Sequence, residues 1–208
     1  MTAFPERLTS GYEIFRQGRL AAERERYATL AEKGQKPEIM VIGCCDSRVA
    51  PEIIFDAGPG EIFVLRNVAN LVPPYAPDSH YHGTSAAIEF ALLGLGVKHI
   101  VVLGHARCGG IKALSEDGGS LGTSDFVGRW MSILEPAREE VHRCGQEGDL
   151  EALELAGIRH SLDNLRTFPC LKRREEDGRL ALHGAYFDVA TGVCRVLAQN
   201  GTHFEDLA

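Results

Sequence analysis

Long apolar runs are missing from this 208-residue sequence. The longest uncharged one, Phe90 to Val97, has eight residues, against the roughly 18 that a membrane-spanning helix needs. An excess of basic residues is missing as well. Lys and Arg number 22 against 29 Asp and Glu, a formal net charge of −7, which argues against a surface that tracks nucleic-acid phosphates. No fixed repeat period is present. With 25% charged residues and nine scattered prolines, the composition is not that of a disordered chain. The opening residues place the charged Glu6-Arg7 pair early, with no apolar block behind it, and so lack the pattern of a secretory signal. The expectation is a soluble cytoplasmic protein with neither nucleic-acid nor membrane partners, folded as one domain at the usual scale of roughly 150 residues per domain.

A disulfide framework is not expected either. Six cysteines stand at 44, 45, 108, 144, 170 and 194. Such frameworks belong to short secreted chains, and a bond between the adjacent Cys44 and Cys45 would be strained. Reduced thiols used for packing or for metal are the better reading.

What is present is an alternation of strands and helices. Arg7 to Gly34 reads as helical, with Leu8, Tyr12, Phe15, Leu20, Tyr27 and Leu30 near helical spacing and Gly18 dividing it. Ile39–Gly43, Glu61–Arg66 and Lys98–Gly104 are unalternating apolar runs of strand length, the pattern of parallel strands covered on both faces. Gly83-Thr84-Ser85 opens a helix over Ala86–Leu95, stopped by Gly96. Ser124–His142 and Asp149–Thr167 read as further helices, the first kinked or divided at Pro136. Arg179–Val189 and Val193–Leu197 read as a late strand pair turning at residues 190–192. The fold class is therefore α/β. A mostly parallel central sheet is expected, with about four parallel strands and a late antiparallel edge strand. Helices flank it, and a helical arm (1–34) precedes the α/β core (35–208).

Two polar clusters each follow a predicted strand: Cys44-Cys45-Asp46-Ser47-Arg48 and Gly104-His105-Ala106-Arg107-Cys108-Gly109-Gly110. The carboxyl ends of parallel strands are where open α/β sheets bind ligands. A thiolate from one end with an imidazole and a thiolate from the other makes three soft or borderline ligands, leaving a fourth tetrahedral position open as in catalytic zinc. Gly109-Gly110 would let backbone N–H groups approach a bound anion. Bland readings stand beside this one. A strand-end cysteine is usually a small buried hydrophobe, which is the reading for Cys45, Cys144, Cys170 and Cys194. The remaining histidines lack comparable context, and Asp46 with Arg48 could be an ordinary surface ion pair.

Together the clusters resemble the zinc-binding motifs of the β-class carbonic anhydrases. The likeness extends through Arg66–Tyr75 and Gly83–Leu114 and, more loosely, through Asp125-Phe126-Val127 with Trp130 and Gly184–Asp188. It covers about Gln35 to Asp188 and is nearest the plant-type branch. The resemblance implies one zinc ion per subunit held by Cys44, His105 and Cys108, with Asp46 and Arg48 as the catalytic pair beside it. It also implies that the Gln35 amide orients substrate, that Phe63, Val68 and Phe90 form the pocket wall, and that Gly109 contacts substrate. An allosteric branch carries a tryptophan at the position of Val41 and a tyrosine at that of Phe187, so this chain is similar to the non-allosteric type, with water rather than Asp46 on zinc. Cys45 stands where serine is usual.

The implied activity is reversible hydration of carbon dioxide to bicarbonate and a proton, by attack of zinc-bound hydroxide. Two thiolates cancel the metal charge, so the site should acidify its water less than the drop from 15.7 to about 7 at three neutral histidines, and should work better at alkaline pH. Arg48 is expected to hold Asp46 ionised and off the metal. The implied assembly is a homodimer, or a larger homo-oligomer of the tetramer-of-dimers type, with interlocking arms and interfacial sites. Three other readings compete. Carbonyl sulfide or carbon disulfide hydrolysis would use the same site, and a zinc-stabilised interaction domain would need a fourth protein ligand. A thiol phosphatase needs Cys and Arg six apart, whereas Arg48 lies four and three beyond Cys44 and Cys45, so that reading fails on spacing.

Overall fold

The computed structural model describes residues 3–117 and 126–207. Ser124 and Asp125, at the start of one expected helix, lie outside them. The chain separates into two compact units at Lys36/Pro37, two residues beyond the boundary expected from the sequence.

The first unit is helical: α1 (Glu6–Gln17), α2 (Arg19–Ala22) and α3 (Arg24–Lys33). The break falls at Gly18, and Gly34, at φ 77°, ends α3. Phe15 and Tyr27 meet edge to face at 6.1 Å. No residue of these helices is buried, and Leu8, Tyr12 and Ile14 stay exposed.

The second unit is built on β1 (Ile39–Cys44), β2 (Ile62–Asn67), β3 (His99–His105), β4 (Ala181–Phe187), β5 (Cys194–Leu197) and β6 (Phe204–Asp206). They form one sheet in the order β2-β1-β3-β4-β5-β6. The first four run parallel, while β5 and β6 are each antiparallel to the preceding strand. The late antiparallel edge is thus two strands rather than one. β6 is only three residues long, too short to show alternation.

Between the strands lie α4 (Pro51–Ile54), a 3₁₀ turn (Val68–Asn70), α5 (Gly83–Glu89), a wider π-wound segment (Phe90–Leu95) and α6 (Gly109–Asp117). They are followed by α7 (Phe126–Met131), a 3₁₀ turn (Ser132–Leu134), α8 (Glu135–Arg143), α9 (Leu150–Arg166) and α10 (Pro169–Glu176). Gly96 ends the π segment in the left-handed region at φ 72°, where glycine costs nothing. The expected Ser124–His142 helix is divided just ahead of Pro136, which sits in the first turn of α8, where its missing N–H is harmless. α4 and α10 were not expected from periodicity, being short, but each opens on a proline.

One sheet face carries the main core. Met40, Ile42, Ile100, Val102 and Tyr186 pack there with Ile88, Leu92, Ile158, Leu162 and Leu165. The other face is covered more sparsely than the strand pattern suggests: Val41, Leu103 and Ala185 are buried, while Ile39, Val101 and Val196 are only partly so. Helix α9 comes unusually close to the strands because Gly104 and Gly184 present bare backbone. A Cβ at Gly104 would stand 2.7 Å from Ile158 Cδ1, and one at Gly184 2.9 Å from Ile158 Cγ2. Glu154 lies one turn before Ile158 on the same helix face, and the close approach carries it to the carboxyl ends of the strands.

Candidate metal centre

Cys44 is the last residue of β1 and His105 the last of β3, so two of the expected ligands are strand ends rather than loop residues. The strands are hydrogen-bonded neighbours, which fixes the two side chains side by side. Arg107 adopts the left-handed region at φ 58° and turns the chain back, returning Cys108 beside them at the mouth of α6. The two sulfurs and one His105 ring nitrogen all lie within 4.8 Å of one another, the sulfurs 4.0 Å apart. All three residues are buried. Asp46 is not one of this group, and among the described residues no other cluster of three metal-binding side chains exists.

The donor set fits a metal cation on its own chemistry. His105 Nδ1 donates to the Ala106 carbonyl at 3.0 Å, while Nε2 is buried with no hydrogen-bond partner. An orphaned buried acceptor costs about 1–3 kcal/mol, so a lone pair held free in this place calls for a ligand. The thiols show the same need. The Cys108 thiol hydrogen-bonds Cys44 and pulls its pKa down to about 4, whereas Cys44 and burial push Cys108 up. Burial opposes charge on His105, but Cys44, the Ala106 carbonyl and Asp46 together outweigh it and raise the imidazole's pKa. Two thiolates this close cannot both ionise cheaply without a cation between them. Two sulfurs and an imidazole are the ligands that zinc prefers, with one tetrahedral position left over.

Beside this cluster the Asp46 carboxylate is clamped by Arg48. Oδ1 accepts from the Arg48 backbone N–H and from Nε, both at 2.9 Å, and Oδ2 accepts from Nη2 at 2.7 Å. Arg48 Nη2 also reaches the Arg107 carbonyl at 3.3 Å, tying the two ligand loops together. Hydrogen bonds from Arg48 hold the Asp46 carboxyl far below the usual carboxylate range. The loop itself is stapled by Arg66, whose Nε and Nη2 donate to the Cys44 and Asp46 carbonyls at 2.8 and 2.6 Å. The Cys45 N–H continues the ladder to the Asn67 carbonyl.

Sequence reasoning missed Glu154. The residue is 2% exposed; its carboxylate accepts from the Cys108 N–H at 2.9 Å and the Tyr186 hydroxyl at 2.8 Å. Burial raises its pKa. Tyr186 is covered in turn by the Arg195 guanidinium, 4.7 Å above the ring. A signal was available: 154, 158, 161, 162 and 165 share helical spacing, and an acid on that otherwise weakly polar stripe is out of place unless it has partners. The bland reading of the spare cysteines also needs correction. Cys45 and Cys144 are exposed, and Cys170 and Cys194 only partly covered, since the loop after β1 and the end of α8 both face outward.

The expected wall residues divide into two groups. Gly109 opens α6 immediately after Cys108, and Val68 packs so near Gly110 that a Cβ there would stand 3.0 Å from Val68 Cγ1. Trp130 Nε1 donates to the Val68 carbonyl at 2.8 Å. Phe63 and Phe90 stack on each other at 5.8 Å but stand elsewhere. Phe63 pairs with Met40, whereas Asn67 pairs with Cys44, so Phe63 lies four residues, about 13 Å, down the strand from the ligands. Gln35 belongs to the helical unit. A cleft of about 620 Å³ runs beside the ligand loop, lined by Cys45, Asn67, Val68 and Trp130 on one side and Tyr81 and His82 on another.

Comparison with known proteins agrees with this geometry. The family model described as carbonic anhydrase matches residues 39–194. A carbonic anhydrase of Pseudomonas aeruginosa is 37% identical over 204 residues, which cover 97% of this chain and 91% of that protein. The chloroplastic beta carbonic anhydrase 5 of Arabidopsis thaliana is 39% identical over 170 residues, 79% of this chain; the match spans only 55% of the plant protein. Among solved structures, the beta-carbonic anhydrase CcaA superposes with a TM-score of 0.90 at 31% identity, covering 98% of this chain and 92% of that one. A tetrameric beta-carbonic anhydrase of Sordaria macrospora gives a TM-score of 0.80 at 28% identity, covering 97% of both chains. With three-quarters of its length matched by the family model and a near-complete relative above 30% identity, the chain belongs to the β-class carbonic anhydrases.

Proposed function

We propose that this chain interconverts carbon dioxide and bicarbonate, with one zinc ion per subunit held by Cys44, His105 and Cys108. The observation that carries the reading is the free, buried His105 Nε2 facing two thiols, with a clamped carboxylate next to them but outside the donor group. Held by these three residues, zinc would supply an acidified water, the chemistry by which such an ion lowers a water's pKa from 15.7 toward 7. The paired thiolate charge of Cys44 and Cys108 weakens that acidification, so turnover should rise toward alkaline pH.

Asp46 accepts a hydrogen bond from the nucleophilic water and aims its lone pair at the incoming carbon. Arg48 spends its fork on Asp46, which keeps the carboxylate ionised and turned from the ligand group; such partners tune metal sites. Val68 offers apolar surface suited to carbon dioxide, and the N–H groups at the Gly109 start of α6 suit the oxygen where charge develops. Phe63 and Phe90 complete the pocket. Since Phe63 stands about 13 Å along β2 from its own ligands, the aromatic pair is assigned to a neighbouring subunit's site. That requires a homo-oligomer, a dimer or an assembly of dimers; the Sordaria macrospora enzymes are described as tetrameric.

No helix among the described residues is long and apolar enough to cross a membrane. The six cysteines are free, which suits a reducing compartment such as the cytoplasm. The plant-type, non-allosteric assignment remains part of the proposal.

The test is stopped-flow hydration of carbon dioxide by the purified chain at alkaline pH, with carbonyl sulfide and carbon disulfide consumption followed in parallel. Fast hydration with slow attack on the sulfur compounds is the expected result. The reverse ranking would give the site to the sulfur substrates.

A further inference from the structure

Hydration releases a proton at every turnover, and none of the residues assigned above delivers it to solvent. Asp46 is held ionised by Arg48 and cannot carry one. The cleft beside the ligand loop does contain a base. His82 caps α5, and its ring lines both this cleft and a second cavity of about 530 Å³ that also holds Asp78, His80 and Glu89. Ser85, in the first turn of α5, lines both as well.

The position of His82 is tied to the site through hydrogen bonds. Asn67, the register partner of Cys44, donates through Nδ2 to Thr84 Oγ1 at 3.3 Å, and Thr84 lies two residues beyond His82 in the first turn of α5. The ring orientation is fixed from the other side. His82 Nε2 and Asp78 Oδ1 are 2.7 Å apart, and a carboxylate can only accept, so Nε2 carries the hydrogen. Nδ1 is left with its lone pair free to take a proton. His80 binds the other oxygen of the same carboxylate, Nδ1 to Oδ2 at 3.1 Å, and its side chain is 81% exposed. Hydrogen bonds from both histidines hold Asp78 in its ionised form. The titratable groups that share the second cavity with His82 are Asp78 and His80 on its own segment and Glu89 on α5.

We propose, on the reading that the chain hydrates carbon dioxide, that His82 carries the reaction's proton out of the cleft, with Asp78 as its positioning residue. The neutral ring takes a proton from cleft water at Nδ1 and becomes an imidazolium held against the Asp78 carboxylate. It then gives that proton to a buffer base in solvent and returns to its starting form. One proton enters, one leaves, and no other bond changes. Histidine suits the task because its ordinary pKa of about 6.5 allows both steps near neutral pH.

The experiment compares wild type, His82→Ala and Asp78→Asn in stopped-flow hydration, first in dilute buffer and then in concentrated imidazole. Positioned proton transfer is worth about 10²–10⁴ in rate, and residual buffer softens its loss. In dilute buffer kcat of His82→Ala should fall about tenfold or more, while kcat/KM for carbon dioxide holds. Concentrated imidazole should restore kcat. Asp78→Asn, which loses the carboxylate that orients the ring, should lower kcat in dilute buffer with kcat/KM unchanged, and concentrated imidazole should restore it. His203→Ala, which removes an exposed imidazole paired with Glu205, should change nothing. An unchanged buffer dependence in His82→Ala, or an equal loss of kcat and kcat/KM that imidazole does not rescue, overturns the assignment. A wild-type chain with no hydration activity would instead fail the functional reading beneath it.

Discussion

Glu154 offers the sharpest test of how the fold supports the metal centre. Its buried carboxylate accepts from the Cys108 N–H and the Tyr186 hydroxyl, so the substitution chosen decides what is lost. Glu154→Leu leaves both donors unpartnered in a dry site. At about 1–3 kcal/mol for each orphaned group, the sum is roughly 2–6 kcal/mol, less whatever is regained by removing a desolvated charge. Glu154→Gln behaves differently. Its oxygen can accept from Cys108, and its NH₂ can donate to Tyr186, whose hydroxyl rotates to suit. Both bonds survive, and the variant should lie within about 1 kcal/mol of wild type. Adding Tyr186→Phe to Glu154→Leu removes one orphan and should recover about 1–3 kcal/mol, a coupling visible in a double-mutant cycle. The pH dependence has a definite sign. The folded-state pKa of Glu154 is raised above its ordinary 4.5, so its contribution is complete below 4.5 and is lost as pH climbs through the raised value. Stability of Glu154→Gln relative to wild type should therefore improve over that window. Urea unfolding of the zinc-loaded proteins at several pH values reads all of this. If Glu154→Leu proves as stable as Glu154→Gln, the account of this network is wrong.

Three further outcomes follow from the same geometry. Replacing Cys44 or Cys108 by Ser, or His105 by Ala, should drop bound metal from one per subunit toward zero, measured by elemental analysis. Asp46→Asn should keep its metal but lose about 10²-fold in turnover, the scale of one misplaced catalytic hydrogen-bonding group; Arg48→Lys, which offers a point charge instead of a fork, should lose less. Gly104→Ala would force a Cβ against Ile158 Cδ1, at about 1–3 kcal/mol of overpacking, visible as an earlier urea midpoint with unchanged metal content.

Much of the centre was legible in the sequence because parallel strands announce themselves as short apolar runs, and a polar cluster at the end of each run has few places to go. The two clusters could be grouped on that basis, the resemblance then named Cys44, His105 and Cys108 within them, and the structure sets β1 and β3 side by side. The supporting residues were harder to read. Glu154 looks in sequence like any helix glutamate, and only the glycine-bared approach of α9 to β3 and β4 makes it a buried acceptor. Arg66 ends a strand run, and its staple to the Cys44 and Asp46 carbonyls depends on register. Phe63 and Phe90 were expected from the resemblance as wall positions; their contact with each other was not read from the sequence, and which metal site they serve depends on assembly, which strand periodicity does not encode. The second antiparallel strand and the π-wound turn before Gly96 escaped for a simpler reason: three residues carry no period, and the π winding alters a helical pattern by one residue.

The central claim is that Cys44, His105 and Cys108 hold the zinc that makes this chain a carbonic anhydrase. Stripping the protein of metal, restoring zinc in graded amounts and recording carbon dioxide hydration beside bound zinc on each sample tests it most directly. Turnover rising in proportion to zinc and levelling at one ion per subunit is the predicted result. Full zinc occupancy with no hydration above the buffer rate, or hydration indifferent to zinc, would contradict it.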